Sequence, residues 1–100
     1  MSGPAYDPTR SRISNRASRH IYTVEKIKWS PGKKYGLGMN EFRDHGAAVN
    51  AVRVTAWHFA IFEGLETQWN EWWDTYRSNC PGDSLSSVQF NVGSWLRRFE

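Results

Sequence analysis

The chain predicts a small α+β domain: an N-terminal β-hairpin, one long central amphipathic helix and a short C-terminal strand or helix, preceded by a disordered basic arm. Three observations point there. From Ile61 to Tyr76 the residues Ile61, Phe62, Leu65, Trp69, Trp72, Trp73 and Tyr76 fall within a sector of about 120° at helical pitch, and Glu63, Glu66, Thr67, Asn70, Glu71, Asp74 and Thr75 fill the other side. Upstream, Ile21–Trp29 is rich in β-branched and aromatic residues and runs into Ser30-Pro31-Gly32, as a strand entering a turn would. Residues 1–19 are polar and Arg-rich and have few large apolar side chains to offset the cost of ordering their backbone.

The totals set limits on each element. A chain of 100 residues fits one domain, here residues 20–100 behind the arm 1–19, and a domain of this size buries only about two thirds of the surface its unfolded chain exposes. Aromatic residues make up 15% and include six Trp, so a few large side chains supply most of a core, or part of an interface. The single cysteine, Cys80, excludes an intrachain disulfide and points to a reducing compartment. No apolar run approaches the roughly 18–20 residues of a membrane span, and the N-terminus lacks the apolar centre of a signal peptide. An intracellular protein, soluble or part of an assembly, is expected. Its charge is divided: residues 1–43 hold nine Lys or Arg against three Asp or Glu, a balance of +6, and residues 44–100 hold four against seven, a balance of −3. Such a division suits a basic arm that meets nucleic acid or an acidic protein surface.

In chain order, the arm carries Arg10, Arg12, Arg16 and Arg19. A solvated tail, a phosphate or acidic-surface contact, and an Arg- and Ser-rich targeting peptide are all compatible with it. Lys33–Gly38 returns as a short second strand, and Lys26, Lys28, Lys33 and Lys34 extend the positive field. Between Asn40 and Ala60, five alanines and an N-cap at Asn40 or Asp44 favour helix, against several Val, Thr and aromatic residues that would suit a strand. Carrying the phase of the downstream stripe backward aligns Ala47, Ala51, Val54 and His58, which favours one helix from about Asp44 to Ser78. Gly64 is its weak point, and Glu63 and Glu66 would suit a helix starting there. Asn79 and Pro81-Gly82 end the helix. In the last segment Val88, Phe90 and Val92 alternate with Gln89 and Asn91, which favours a strand, then a helical turn from Ser94; a helix capped by Ser84 is the alternative.

No catalytic, cofactor or metal signature emerges. Gly32-Lys33 is followed by Lys34 rather than by the hydroxyl a phosphate-binding loop requires, and Gly36-Leu37-Gly38 lacks the third glycine of a dinucleotide fingerprint. Cys80 follows a helix C-terminus, where the dipole disfavours a thiolate. His20, His45 and His58 show no ligand spacing, and His58 reads as a hydrogen-bonded core residue. The carboxylates Glu63, Glu66, Glu71 and Asp74 read as a solvated helix face. These features predict a non-enzymatic interaction protein, an accessory or structural subunit of a larger macromolecular assembly. It would dock through Arg10, Arg12, Arg16, Arg19, Lys26, Lys28, Lys33 and Lys34, with Trp69, Trp72, Trp73 and Tyr76 as core or as a hydrophobic interface. Its partner would be another protein or a second copy. A nucleic-acid binder using the basic region, and a small protein inhibitor of another macromolecule, are the alternatives.

Overall fold

The computed structural model describes residues 12–27, 35–37 and 40–100, with backbone alone for 12–15, 35–37, 40 and 41. Four helices make up most of them: α1 (Arg12–Lys26), α2 (His45–Phe62), α3 (Glu66–Asn79) and α4 (Leu85–Arg97). The fold is therefore helical, and the expected α+β architecture with its N-terminal hairpin is overturned. Its β-structure among the described residues is a ribbon of three residues a strand, β1 (Tyr35–Leu37) and β2 (Asn40–Phe42), antiparallel with Gly36 opposite Glu41. The expected turn at Ser30-Pro31-Gly32 lies outside the described residues.

The stretch read as the first strand is the second half of α1. Ala17, Ile21 and Val24 recur at four and three residues, and all are buried, so the apolar stripe follows helical pitch through the Arg, Ser and His residues between them. The expected boundary between arm and domain at residue 19 falls inside this helix. Residues 1–11 lie outside the described residues. The C-terminal end of α1 is closed from another element: the Gln89 side chain donates to the Val24 carbonyl at 2.8 Å and also to that of Ile27. Carbonyls left unpaired at a helix end are thus satisfied by α4.

Helix α2 begins where Asp44 Oδ1 accepts from the Ala47 amide at 2.8 Å, an N-cap of ordinary geometry. The single long helix expected from Asp44 to Ser78 is broken after Phe62. Gly64 adopts φ +74°, Leu65 N donates to Ala60 O at 2.7 Å, and Gly64 N donates to Ile61 O at 3.2 Å. These two bonds and a glycine in the left-handed region form a Schellman stop, with Leu65 as the apolar residue that packs beneath it. Helix α3 restarts with Glu66 in its first turn, where the helix dipole favours a carboxylate, and stops at Asn79 as expected. The C-terminal segment is helix α4, not a strand. Ser84 caps it by accepting from Ser87 N at 3.2 Å, and Val88 and Val92 are buried while Phe90 is exposed. The apparent alternation was one helical face plus an outward phenylalanine.

Contacts fix the arrangement. Ser18 reaches Glu100, Glu25 pairs with Arg97, and Gln89 reaches the end of α1, so α1 and α4 run antiparallel. Arg16 meets Glu63 and His20 meets Phe59, so α1 and α2 also run antiparallel. The core between them holds Ala17, Ile21, Val24, Val52, Phe59, Val88, Val92 and Leu96. Helix α3 closes it through aromatic rings: Trp69 lies 5.1 Å from Trp95 in an edge-to-face contact and 5.5 Å from both Trp72 and Trp73.

Candidate functional site

The residues singled out in the sequence divide into an inward and an outward set. Trp69 is fully buried and Tyr76 nearly so; Trp72 and Trp73 are half-buried against them. The Tyr76 hydroxyl donates to Asp83 at 2.6 Å; burial, and next that hydrogen bond, push its pKa upward. Arg77 lies over the Trp73 and Tyr76 rings and donates to the carbonyls of Cys80 and Pro81, which fastens the turn after α3. The aromatic stripe is thus mostly core. Trp95 of α4 covers it by lying against Trp69 and Trp72, and Phe59 and Phe99 pack in turn on Trp95.

The basic residues part company on α1. Arg16 is structural: its Nε lies 2.8 Å from Glu63 Oε2, with the pair largely buried, and its guanidinium sits 3.9 Å over the Phe62 ring. The angles at that contact do not make a hydrogen bond, so its pull is that of opposite charges in a poorly solvated place. Arg19 and Lys26 are exposed, and neither forms an ion pair among the described residues. Tyr22, 63% exposed, stands between them, with the Lys26 ammonium 5.3 Å from its ring centroid. The single carboxylate of this helix, Glu25, is held by Arg97 at 2.7 Å. Arg12 opens the helix; Arg10, Lys28, Lys33 and Lys34 lie outside the described residues. The outward side of α1 is therefore a short basic surface with an aromatic ring at its middle.

The other polar candidates have structural surroundings. His20 donates from Nδ1 to the Arg16 carbonyl at 2.9 Å and lies against Phe59; burial lowers its pKa, and the neighbouring Arg19, His58 and Arg16 act in the same direction. His58 is exposed rather than in the core. Cys80 is a half-buried free thiol. Glu63 belongs to the end of α2, not to the polar face of α3; Glu66, Glu71 and Asp74 are exposed there, and Glu66 accepts from the Trp57 indole at 3.1 Å. Among the described residues no cluster of His, Cys, Asp and Glu can hold a metal ion, and no helix is long and apolar enough to cross a membrane.

Sequence reasoning passed over Ile61 and Phe62 as surface residues: it set them on the buried stripe, yet they are 44% and 71% exposed. The signal was Gly64, which breaks the phase that would have turned them inward. No family model, curated protein or solved structure matched the chain in comparison.

Proposed function

We propose that this protein is a non-enzymatic accessory subunit that docks on an acidic surface of a larger assembly through the outward side of α1. The observation that carries the reading is the division of labour among charges on and around that helix. Glu25 and Glu63 are occupied by Arg97 and Arg16, which leaves Arg19 and Lys26 as positive charge that no described carboxylate offsets. Exposed charges of one sign raise the rate of encounter with an opposite surface and exclude like-charged ones. Tyr22 adds a flat apolar contact of the kind that anchors interfaces.

Affinity purification from the native source tests this. The wild-type chain is expected to bring down a stoichiometric partner, which the Arg19→Glu/Lys26→Glu variant loses while keeping its helical circular dichroism. A wild-type chain that retains nothing sinks the reading. The exposed Tyr22 ring between two cations also favours a second reading, a single-stranded nucleic acid whose bases stack on tyrosine while phosphates meet Arg19 and Lys26. Titration with DNA and RNA oligomers at two salt concentrations separates the two. Binding that falls steeply with salt and is abolished by the same reversal assigns nucleic acid.

A further inference from the structure

Tyr22 of α1 and Phe90 of α4 are 63% and 68% exposed, and the packing of the two helices sets both rings on one surface. The ion pair of Glu25 and Arg97 crosses the seam between the helices at 2.7 Å, with both side chains about half exposed. Gly93 lies buried beneath it; a Cβ there would come 3.2 Å from Arg97 Nη1 and 4.0 Å from Glu25 Oε2. Phe90 stands seven residues before Arg97, and seven residues return a side chain to the same helix face two turns away. Tyr22 stands one turn before Glu25 on α1. Because α1 and α4 run antiparallel, the rings flank the ion pair on opposite sides, about 9 Å apart along the seam at helical rise. The charge around them is of one sign. Helix α4 carries no carboxylate, Glu25 is matched by Arg97, and Glu100 accepts from Ser18 at 2.9 Å. Arg19 and Lys26 form no ion pair among the described residues.

We infer that a single-stranded nucleic acid lies across the seam of α1 and α4, with one base stacked on Tyr22, another on Phe90, and nearby phosphates neutralised by Arg19 and Lys26. The inference rests on the nucleic-acid reading of α1 given above and extends it to α4. What favours a strand over an acidic protein is the centre of the surface. A protein interface keeps charge out of its fully buried middle, and here the middle is an ion pair that would have to be desolvated on both sides. A strand makes no such demand. Its bases offer a flat face to each ring and leave the ground between them wet, while its backbone follows the positive charge. Each ring accepts any base, so the surface selects single strands over duplex, whose bases are already stacked, and shows little preference for sequence.

Fluorescence anisotropy of the full chain with labelled oligo(dT) and oligo(U) of about 12 nucleotides, at two salt concentrations, tests the inference. The wild type is expected to bind both, more tightly at low salt and more tightly than a duplex of the same length. Phe90→Ala is expected to raise Kd by about fivefold or more without changing the salt dependence, because it removes no charge; Phe90→Trp restores binding. Phe62→Ala, which removes an equally exposed ring from α2, leaves Kd unchanged, and circular dichroism confirms that each variant is folded. A wild type that binds neither oligomer at low salt overturns the inference together with the nucleic-acid reading of α1. Binding that is lost in Arg19→Glu/Lys26→Glu but matches the wild type in Phe90→Ala overturns the inference alone and leaves that reading standing. Duplex bound as tightly as single strand overturns the stacking. Poly-glutamate that displaces the oligomers, and whose own binding weakens in Phe90→Ala, assigns the seam to an acidic protein instead.

Discussion

Helices α2 and α3 are joined by only three residues and contribute to one core, yet their outer sides are opposite in character. Helix α3 directs Trp69 and Tyr76 inward and shows Glu66, Glu71 and Asp74 to solvent. Helix α2 buries small and medium residues and leaves Ile61 and Phe62 outside. The comparison teaches that residue size is a poor guide to exposure in a small protein. Its largest side chains are the ones its own core cannot spare, and the surface left over falls to residues whose helical phase differs from the core's.

The sharpest way to break that contrast is Trp69→Ala. The side chain is fully buried among Trp72, Trp73 and Trp95, and its removal is expected to cost about 3–5 kcal/mol in urea unfolding. A loss under about 1 kcal/mol would show the cluster to be loosely packed and the division between the two helices unreal. Next in size is Gly64→Ala, which tests the joint between the helices. A Cβ there meets nothing within 4 Å, so the cost is one of backbone conformation at φ +74°. It should be about 1–2 kcal/mol; an unchanged midpoint would mean that the break between α2 and α3 does not need its left-handed residue.

A smaller effect depends on pH. The folded-state pKa of His20 lies below its ordinary value of 6.5, mainly through burial, so the unfolded chain takes up the proton more readily. Stability is then full above pH 6.5 and falls as the pH drops from there through the folded pKa. The acid-side fall in the urea midpoint of the wild type should be reduced in His20→Asn; the same acid-side slope in both would reject it. Smallest of all is Glu25→Gln. The pair with Arg97 is about half exposed on both sides, and its loss is expected to cost no more than about 0.5 kcal/mol at moderate salt. A larger loss, surviving at high salt, would give the α1–α4 seam an electrostatic role it is not assigned here.

Parts of this fold were legible because a local rule and the tertiary structure agreed. Asp44 caps α2 and Asn79 ends α3, whereas the shared phase of Ala47, Ala51, Val54 and His58 with the aromatic stripe did not mean one continuous helix, because the break at Gly64 leaves those residues off the buried side of α2. Elsewhere the two diverged. Arg16, Arg19 and His20 masked the stripe of Ala17, Ile21 and Val24, because the number of polar residues was weighed above the interval between apolar ones. Val88, Phe90 and Val92 imitated a strand by coincidence of two periods. As for the candidate site, positive charge on residues 12–26 was visible in composition. That Arg16 is consumed by Glu63 and Phe62 was not, since the contact joins residues 47 positions apart through a turn that only the position of Gly64 betrays.

The antiparallel seam between α1 and α4 has a kinetic consequence. Its contacts, Glu25 to Arg97 and Ser18 to Glu100, close loops of 72 and 82 residues, whereas the α2–α3 joint closes within a few. Helical proteins usually fold quickly because their contacts are local; here the carbonyls at the end of α1 wait for Gln89, from the far part of the chain. The helical hairpin of α2 and α3 is expected to form first and the seam last. Ala17→Gly should then speed unfolding while leaving the folding rate nearly unchanged, and a matching drop in the folding rate would place α1 in the early structure instead.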